Sequence, residues 1–254
     1  MRWQAGLMRR FEQRAMFRAS LSTFVTQEEL EIADRAEPGA AKLLVPNVLP
    51  QSDVRRAEAI SRERSRRQSE PLLVYLGTLT YPPNVAALRD FLEQTWPRLR
   101  ASVPELELVI VGTTSESERR LLASAPGIEM AGFVPDLTPL LSRAAAVILP
   151  FEAAAGSSLR VLFCGLSKIP LIGSPAAFRG FPAGIGLRAR TSDEWLELVA
   201  SATRFEPFVE DRNVAMNGLA WELQQAREPW DTLYGALAVL TSEEASTQQG
   251  VSSG

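Results

Sequence analysis

No histidine occurs among the 254 residues, and that absence removes more chemistry than any single motif supplies. Ser-His-Asp and Cys-His nucleophilic catalysis and histidine-ligated metal sites cannot be built from this chain. Cysteine is almost as scarce. Cys164 stands alone in apolar company, so there is no disulfide framework and a reducing compartment is expected. No apolar run reaches membrane-spanning length, and Arg2, Arg9, Arg10, Arg14 and Arg18 break up the start, so neither a span nor a secretory signal is read there. A formal charge of −3 gives no field that would gather nucleic acid. What is present, 46% hydrophobic and 22% charged residues, suits a soluble globular chain with one large domain, or one domain and part of another.

The stretch 150–170, PFEAAAGSSLRVLFCGLSKIP, organises the rest. It closes the apolar run AAAVILP, which reads as a buried parallel strand, and passes through small residues into LRVLFCGL, a segment of helical length. Strand, small-residue loop and helix N-terminus together make an anion site, because unpaired backbone N–H groups and the helix dipole converge there.

Before it, RWQAGLMRRFEQRAMFRAS places Trp3, Leu7, Phe11 and Ala15 four residues apart, the pattern of an amphipathic helix. Its arginines leave two readings open, one face packed on a core or peripheral attachment to an anionic membrane. LSTFVT, QEELEIADRA and KLLVP then read as strand, helix and strand, too few to cover their own edges. From 51 to 70, QSDVRRAEAISRERSRRQSE has many arginines and few large apolar residues, and reads as a linker or a solvated helix at a domain boundary.

Beyond the boundary, LLVYLG, ELELVIVG, IEMAGFV, AAAVILP, IPLIG and GIGLRA read as successive strands separated by single helical segments. Pro82 and Pro83 are expected to hold off the first of those helices until Asn84. Asp136 is the candidate N-cap of another, and Gly165, inside the helix after the small-residue loop, points to close packing. The alternation implies right-handed crossovers and an α/β fold with a Rossmann-like, doubly wound parallel sheet. Ligands of such sheets lie at the carboxyl ends of the strands. Those ends carry Gly77 with Thr78, Gly112 with Thr113, Phe133 with Val134, and the stretch 152–158.

GTLTYPPNVAALRDFLEQTWP, LVIVG, IEMAGFVPDLTPLLSRAAAVILPF and AAGSSLRVL, in this order and spacing, resemble the carboxyl-terminal domain of GT-B glycosyltransferases of the group 1, family four retaining type. The resemblance runs from about 11 to about 237. It implies that 1–50 are the βαβ remnant of an amino-terminal acceptor domain, 51–70 a linker, 71–205 the donor-binding domain, 206–240 the closing helices and 241–254 a disordered tail. It further implies a chain truncated before most of the acceptor domain, by a mis-set start or by a split gene whose other product supplies that domain. The isolated chain is then expected to transfer no sugar.

The implied function is transfer of a sugar from a nucleotide-diphosphate sugar to a glycan or lipid-linked acceptor, in surface polysaccharide or glycolipid synthesis on the cytoplasmic side. No metal or other cofactor is expected. By position, Gly156, Ser157 and Ser158 fall on the family's GTR, Arg160 on its diphosphate-binding lysine, and Val134, after Phe133, where the backbone meets the base. Gly77, Thr78 and Gly112 complete the implied donor site, while no catalytic residue is assigned. Three departures stand against these matches. Phe163 occupies the place of the glutamate that accepts hydrogen bonds from the ribose, Ser158 that of an arginine, and Ala154 and Ala155 those of glycines. They motivate an alternative, a catalytically degenerate binding or scaffold subunit with the same fold. An unrelated nucleotide-binding α/β protein is the third reading.

Overall fold

The computed structural model describes every residue except Met1, Arg67, Ser124, 152–157 and 252–254, with backbone alone for 2–6, 9 and 240–251. The chain forms two compact units, one of 1–47 together with 225–254, the other of 48–224.

The first unit begins with helix α1 (Arg2–Arg18) and continues as β1 (Ser22–Phe24), α2 (Gln27–Ala36) and β2 (Lys42–Leu44). The two strands pair in parallel with Phe24 opposite Leu44, so the expected βαβ unit is present. Thr26 caps α2, its hydroxyl accepting from the Glu29 N–H at 3.2 Å. On α1, Leu7, Met8, Phe11 and Phe17 stay exposed, because a two-stranded sheet has too little apolar surface to cover them. Trp3, expected in that stripe, is among the residues described by backbone alone.

The second unit opens with α3 (Gln51–Arg64). It continues through β3 (Glu70–Leu76), α4 (Pro82–Gln94), α5 (Trp96–Ser102), β4 (Glu107–Val111), α6 (Glu116–Leu122), β5 (Ile128–Gly132), α7 (Thr138–Leu141) and β6 (Ala144–Leu149). It closes with α8 (Leu159–Leu166), β7 (Leu171–Gly173), a 3₁₀ turn, β8 (Leu187–Arg188), α9 (Ser192–Thr203) and α10 (Pro207–Gln225). The six strands are parallel in the order β5-β4-β3-β6-β7-β8. Counted within the unit this is 3-2-1-4-5-6, the doubly wound order, with the topological switch between β3 and β6. All six residues of β6 and the last five of β3 are buried, as strands covered on both faces must be.

Three expectations are corrected. The stretch 51–70, expected as a linker or a solvated helix, is mostly a helix, α3, but a docked one, with Val54, Ala57 and Ile60, spaced three apart, buried. Small apolar residues at that spacing make a narrow helical stripe, which a search for large residues passes over. Pro82 and Pro83 begin α4 instead of delaying it, since a first-turn N–H has no helical partner to lose. Of the segment expected as a disordered tail, 241–251 continue α11 (Glu228–Val251), because polar composition disfavours burial but not helix, and 252–254 lie outside the described residues. Gly165 does mark close packing. A Cβ there would come within 2.7 Å of the Ala220 Cβ on α10.

Candidate functional site

Strand register lines up the predicted positions. Leu76 lies opposite Val111 and Val111 opposite Gly132, so Gly77, Gly112 and Phe133 leave the sheet side by side at its carboxyl edge. Gly77 N–H donates to the Val111 carbonyl at 3.0 Å and Gly112 N–H to that of Gly132 at 2.8 Å. This crowding requires glycine at 112 and leaves little room beside Gly77. Gly112 has φ +151°, and a Cβ on it would fall 1.9 Å from the Gly77 carbonyl oxygen. A Cβ on Gly77 would lie 2.8 Å from both Arg160 Nη1 and the Tyr75 hydroxyl.

A cavity of about 610 Å³ opens at this edge. Its walls include Gly77, Thr78, Gly112, Phe133, Val134 and Arg160 from the predicted set. Phe133 is 77% exposed at the rim, while Val134 packs against the core. Ser158 is the N-cap residue of α8 and leaves that helix's first N–H groups uncapped. Its hydroxyl instead accepts from Arg160 Nε at 3.3 Å. Gly156 and Ser157 lie outside the described residues, as do Glu152, Ala154 and Ala155.

Arg160 is the charged centre of the cavity. Its Nη1 donates to the Leu76 carbonyl at 2.7 Å, and its guanidinium lies 4.6 Å over the Phe151 ring. Burial lowers its pKa, with Tyr75 and Cys164 as its electrostatic neighbours, so among the described residues no carboxylate balances it. A half-buried cation without a counter-ion is costly unless an anion joins it. The buried Tyr75 hydroxyl beside it has no hydrogen-bond partner. Cys164 behind it is inert, its thiol pushed up to about 12 by burial.

Phe163, one turn after Arg160, lines the cavity and offers no acceptor. Asp136 lines it too, but its carboxylate accepts from the Thr138 N–H at 2.9 Å, which holds its pKa below the ordinary value. Leu137 takes the N-cap position of α7 expected for Asp136, and Asp136, one residue earlier, accepts from the helix's first N–H. Sequence reasoning missed the third wall. Asp53, Arg56 and Ile60 of α3 face the same space, and their signal was the Val54, Ala57, Ile60 stripe that docks the helix.

The family model described as glycosyl transferases group 1 matches residues 70–201, more than half of the chain. No curated protein sequence matches. Among solved structures, the chain is similar to Anabaena Alr3699/HepE in complex with UDP and glucose, with TM-score 0.64 and 15% identity over 88% of this chain and 64% of that one. It is also similar to the pneumococcal O-GlcNAc transferase GtfA in complex with UDP and GlcNAc, with TM-score 0.63 and 14% identity over 91% and 47%. A third likeness is to WaaG, a glycosyltransferase involved in lipopolysaccharide biosynthesis, with TM-score 0.58 and 12% identity over 83% and 60%. At such identities these likenesses establish the GT-B Rossmann-like fold, and the chain spans less than two thirds of each of these three proteins. Among the described residues no helix is long and apolar enough to cross a membrane.

Proposed function

The chain belongs to the group 1 glycosyl transferases, and from that membership we propose that it is a retaining, family-four-type transferase using a nucleotide-diphosphate sugar. The observation that carries the proposal is Arg160, half-buried, without a described carboxylate partner, and seated on the first turn of α8 at the switch between β3 and β6. A diphosphate is the anion such a place suits. The UDP complexes of HepE and GtfA support the choice of donor.

In the proposed reaction, the bond between the anomeric carbon and the diphosphate oxygen breaks, the acceptor hydroxyl oxygen forms the new glycosidic bond, and its proton passes to the departing diphosphate. Negative charge grows on the departing diphosphate. Arg160 and the first N–H groups of α8 stabilise that charge in place, without a metal in the scheme. The base lies along Phe133 and Val134 and the anomeric end toward Thr78. By analogy with WaaG, a glycosyltransferase involved in lipopolysaccharide biosynthesis, the acceptor is a glycan or lipid-linked glycan of a surface polysaccharide or glycolipid, met at the inner face of the membrane. Phe163 favours a second reading, a degenerate subunit that binds nucleotide without transfer, because it offers the donor no hydrogen-bond acceptor on α8.

Titration calorimetry with UDP tests the first step. Binding is expected, weakened roughly a hundredfold in Arg160→Ala by loss of a charged partner. Failure of UDP, GDP and ADP to bind overturns the donor proposal. Glucose release from UDP-glucose by the chain alone would overturn the degenerate reading and the expectation that the isolated chain transfers no sugar, whereas binding without release is what both readings expect of the chain by itself.

A further inference from the structure

A nucleoside diphosphate has three parts to recognise, and the donor reading assigns two of them to cavity residues, the phosphates to Arg160 and the base to Val134. The ribose between them carries two hydroxyl donors and needs an acceptor. Resting on the donor reading above, we infer that Asp53 is that acceptor, so that sugar recognition comes from α3 and not from α8.

Among the described residues two carboxylates line the cavity, Asp53 and Asp136. Asp136 is held by the Thr138 N–H. Asp53 sits in the first turn of α3, where helical phase separates two faces. Val54 and Ala57 are buried with Leu162 and Leu166 of α8. Asp53, Arg56 and Ile60, at i, i+3 and i+7, line the cavity instead. The α3–α8 packing thereby fixes the carboxylate beside the wall where Phe163 supplies no acceptor. Its one ion pair runs from Oδ1 to Arg56 Nη1 at 3.2 Å, leaving Oδ2 without a partner among the described residues. The same ion pair offsets the negative charge that would otherwise repel the diphosphate. Asp53 is also accessible, with its side chain 35% exposed.

The test compares UDP with 2′-deoxy-UDP and 3′-deoxy-UDP by titration calorimetry on the full chain, using the GDP or ADP series should UDP not bind. Wild type is expected to favour the ribonucleotide roughly tenfold or more, the effect of one hydrogen bond to a charged acceptor. Asp53→Asn, which leaves only a neutral amide acceptor, should reduce that preference several-fold. Arg56→Ala, which breaks the ion pair but keeps the carboxylate, should retain it. An undiminished preference in Asp53→Asn, or an equal loss in both variants, overturns the inference and leaves the donor reading standing. No binding of any nucleoside diphosphate removes the donor reading and this inference with it.

Discussion

Two arginines sink into opposite ends of the central sheet, and their surroundings differ in the way that separates structure from function. Arg64, the last residue of α3, meets the amino end of β6. Its Nη1 donates to the Leu141 and Ala144 carbonyls at 2.8 and 2.7 Å, and its Nε to the Lys168 carbonyl at 3.0 Å. Burial brings its pKa down to about 10. Arg160 meets the carboxyl end of β3 with one carbonyl, one hydroxyl and an aromatic face. The first spends its donors within the protein and ties α3, α7 and β6 together. The second keeps donors and charge that no described carboxylate takes up.

Replacing Arg64 should give the largest effect. Arg64→Ala leaves three carbonyls short of a charged donor, and a loss of about 3 kcal/mol is expected. Urea unfolding measures it, and a change below about 1 kcal/mol would remove Arg64 as the clamp. UDP affinity of the folded fraction should not change, because this residue lies at the far end of the strands from the cavity.

A smaller effect is expected on giving Arg160 an internal partner. Phe163→Glu adds an acceptor to the α8 wall and should tighten UDP binding by up to tenfold, about 1.4 kcal/mol. Stability should fall, since Phe163 packs against the core of both α3 and α8. Weaker binding would have a definite meaning. The new carboxylate, at i+3 from Arg160, would then be pairing with it and making it resemble the self-satisfied Arg64.

Removing Arg160 should barely alter stability, in contrast to Arg64. Arg160→Ala gives up one bond to Leu76 and the contact with Phe151, but also relieves an unbalanced half-buried charge, so a net change within about 1 kcal/mol is expected. A thermal melt that drops as far as for Arg64→Ala would make the two arginines alike and weaken the assignment of Arg160 to an anion.

Much of this contrast was legible beforehand. Continuous apolar runs such as AAAVILP mark strands buried on both faces, and the alternation of strands and helices leads to the doubly wound sheet. The glycines at 77 and 112 were readable as strand-end positions. That Gly112 is forced by the neighbouring Gly77 carbonyl was not, because the crowding arises between strands. The role of α3 was hidden for a related reason. Its docking face is made of Val54, Ala57 and Ile60 among many arginines, so composition suggested solvent where spacing signalled packing. Asp53 and Arg64 share that history. Local sequence shows a charge, and only the fold shows whether the charge meets carbonyls or an open cavity.

The smallest effect concerns Asp136, the cavity's other carboxylate. Its folded pKa lies below the ordinary value, mainly through the Thr138 N–H, so its stabilising contribution is present above an unfolded pKa of about 3.9 and is lost as pH falls through the folded value. Asp136→Asn keeps an acceptor for Thr138 but cannot titrate. The gap in melting temperature between wild type and variant should therefore be slight at neutral pH and shrink on acidification, and a gap that widens on acidification would reverse the assigned sign. The same variant sharpens the inference about Asp53. Because the Asp136 carboxylate is held by its own helix, Asp136→Asn should leave the ribo-over-deoxy preference intact. Loss of that preference here, with Asp53→Asn behaving as wild type, would move sugar recognition from α3 to the start of α7.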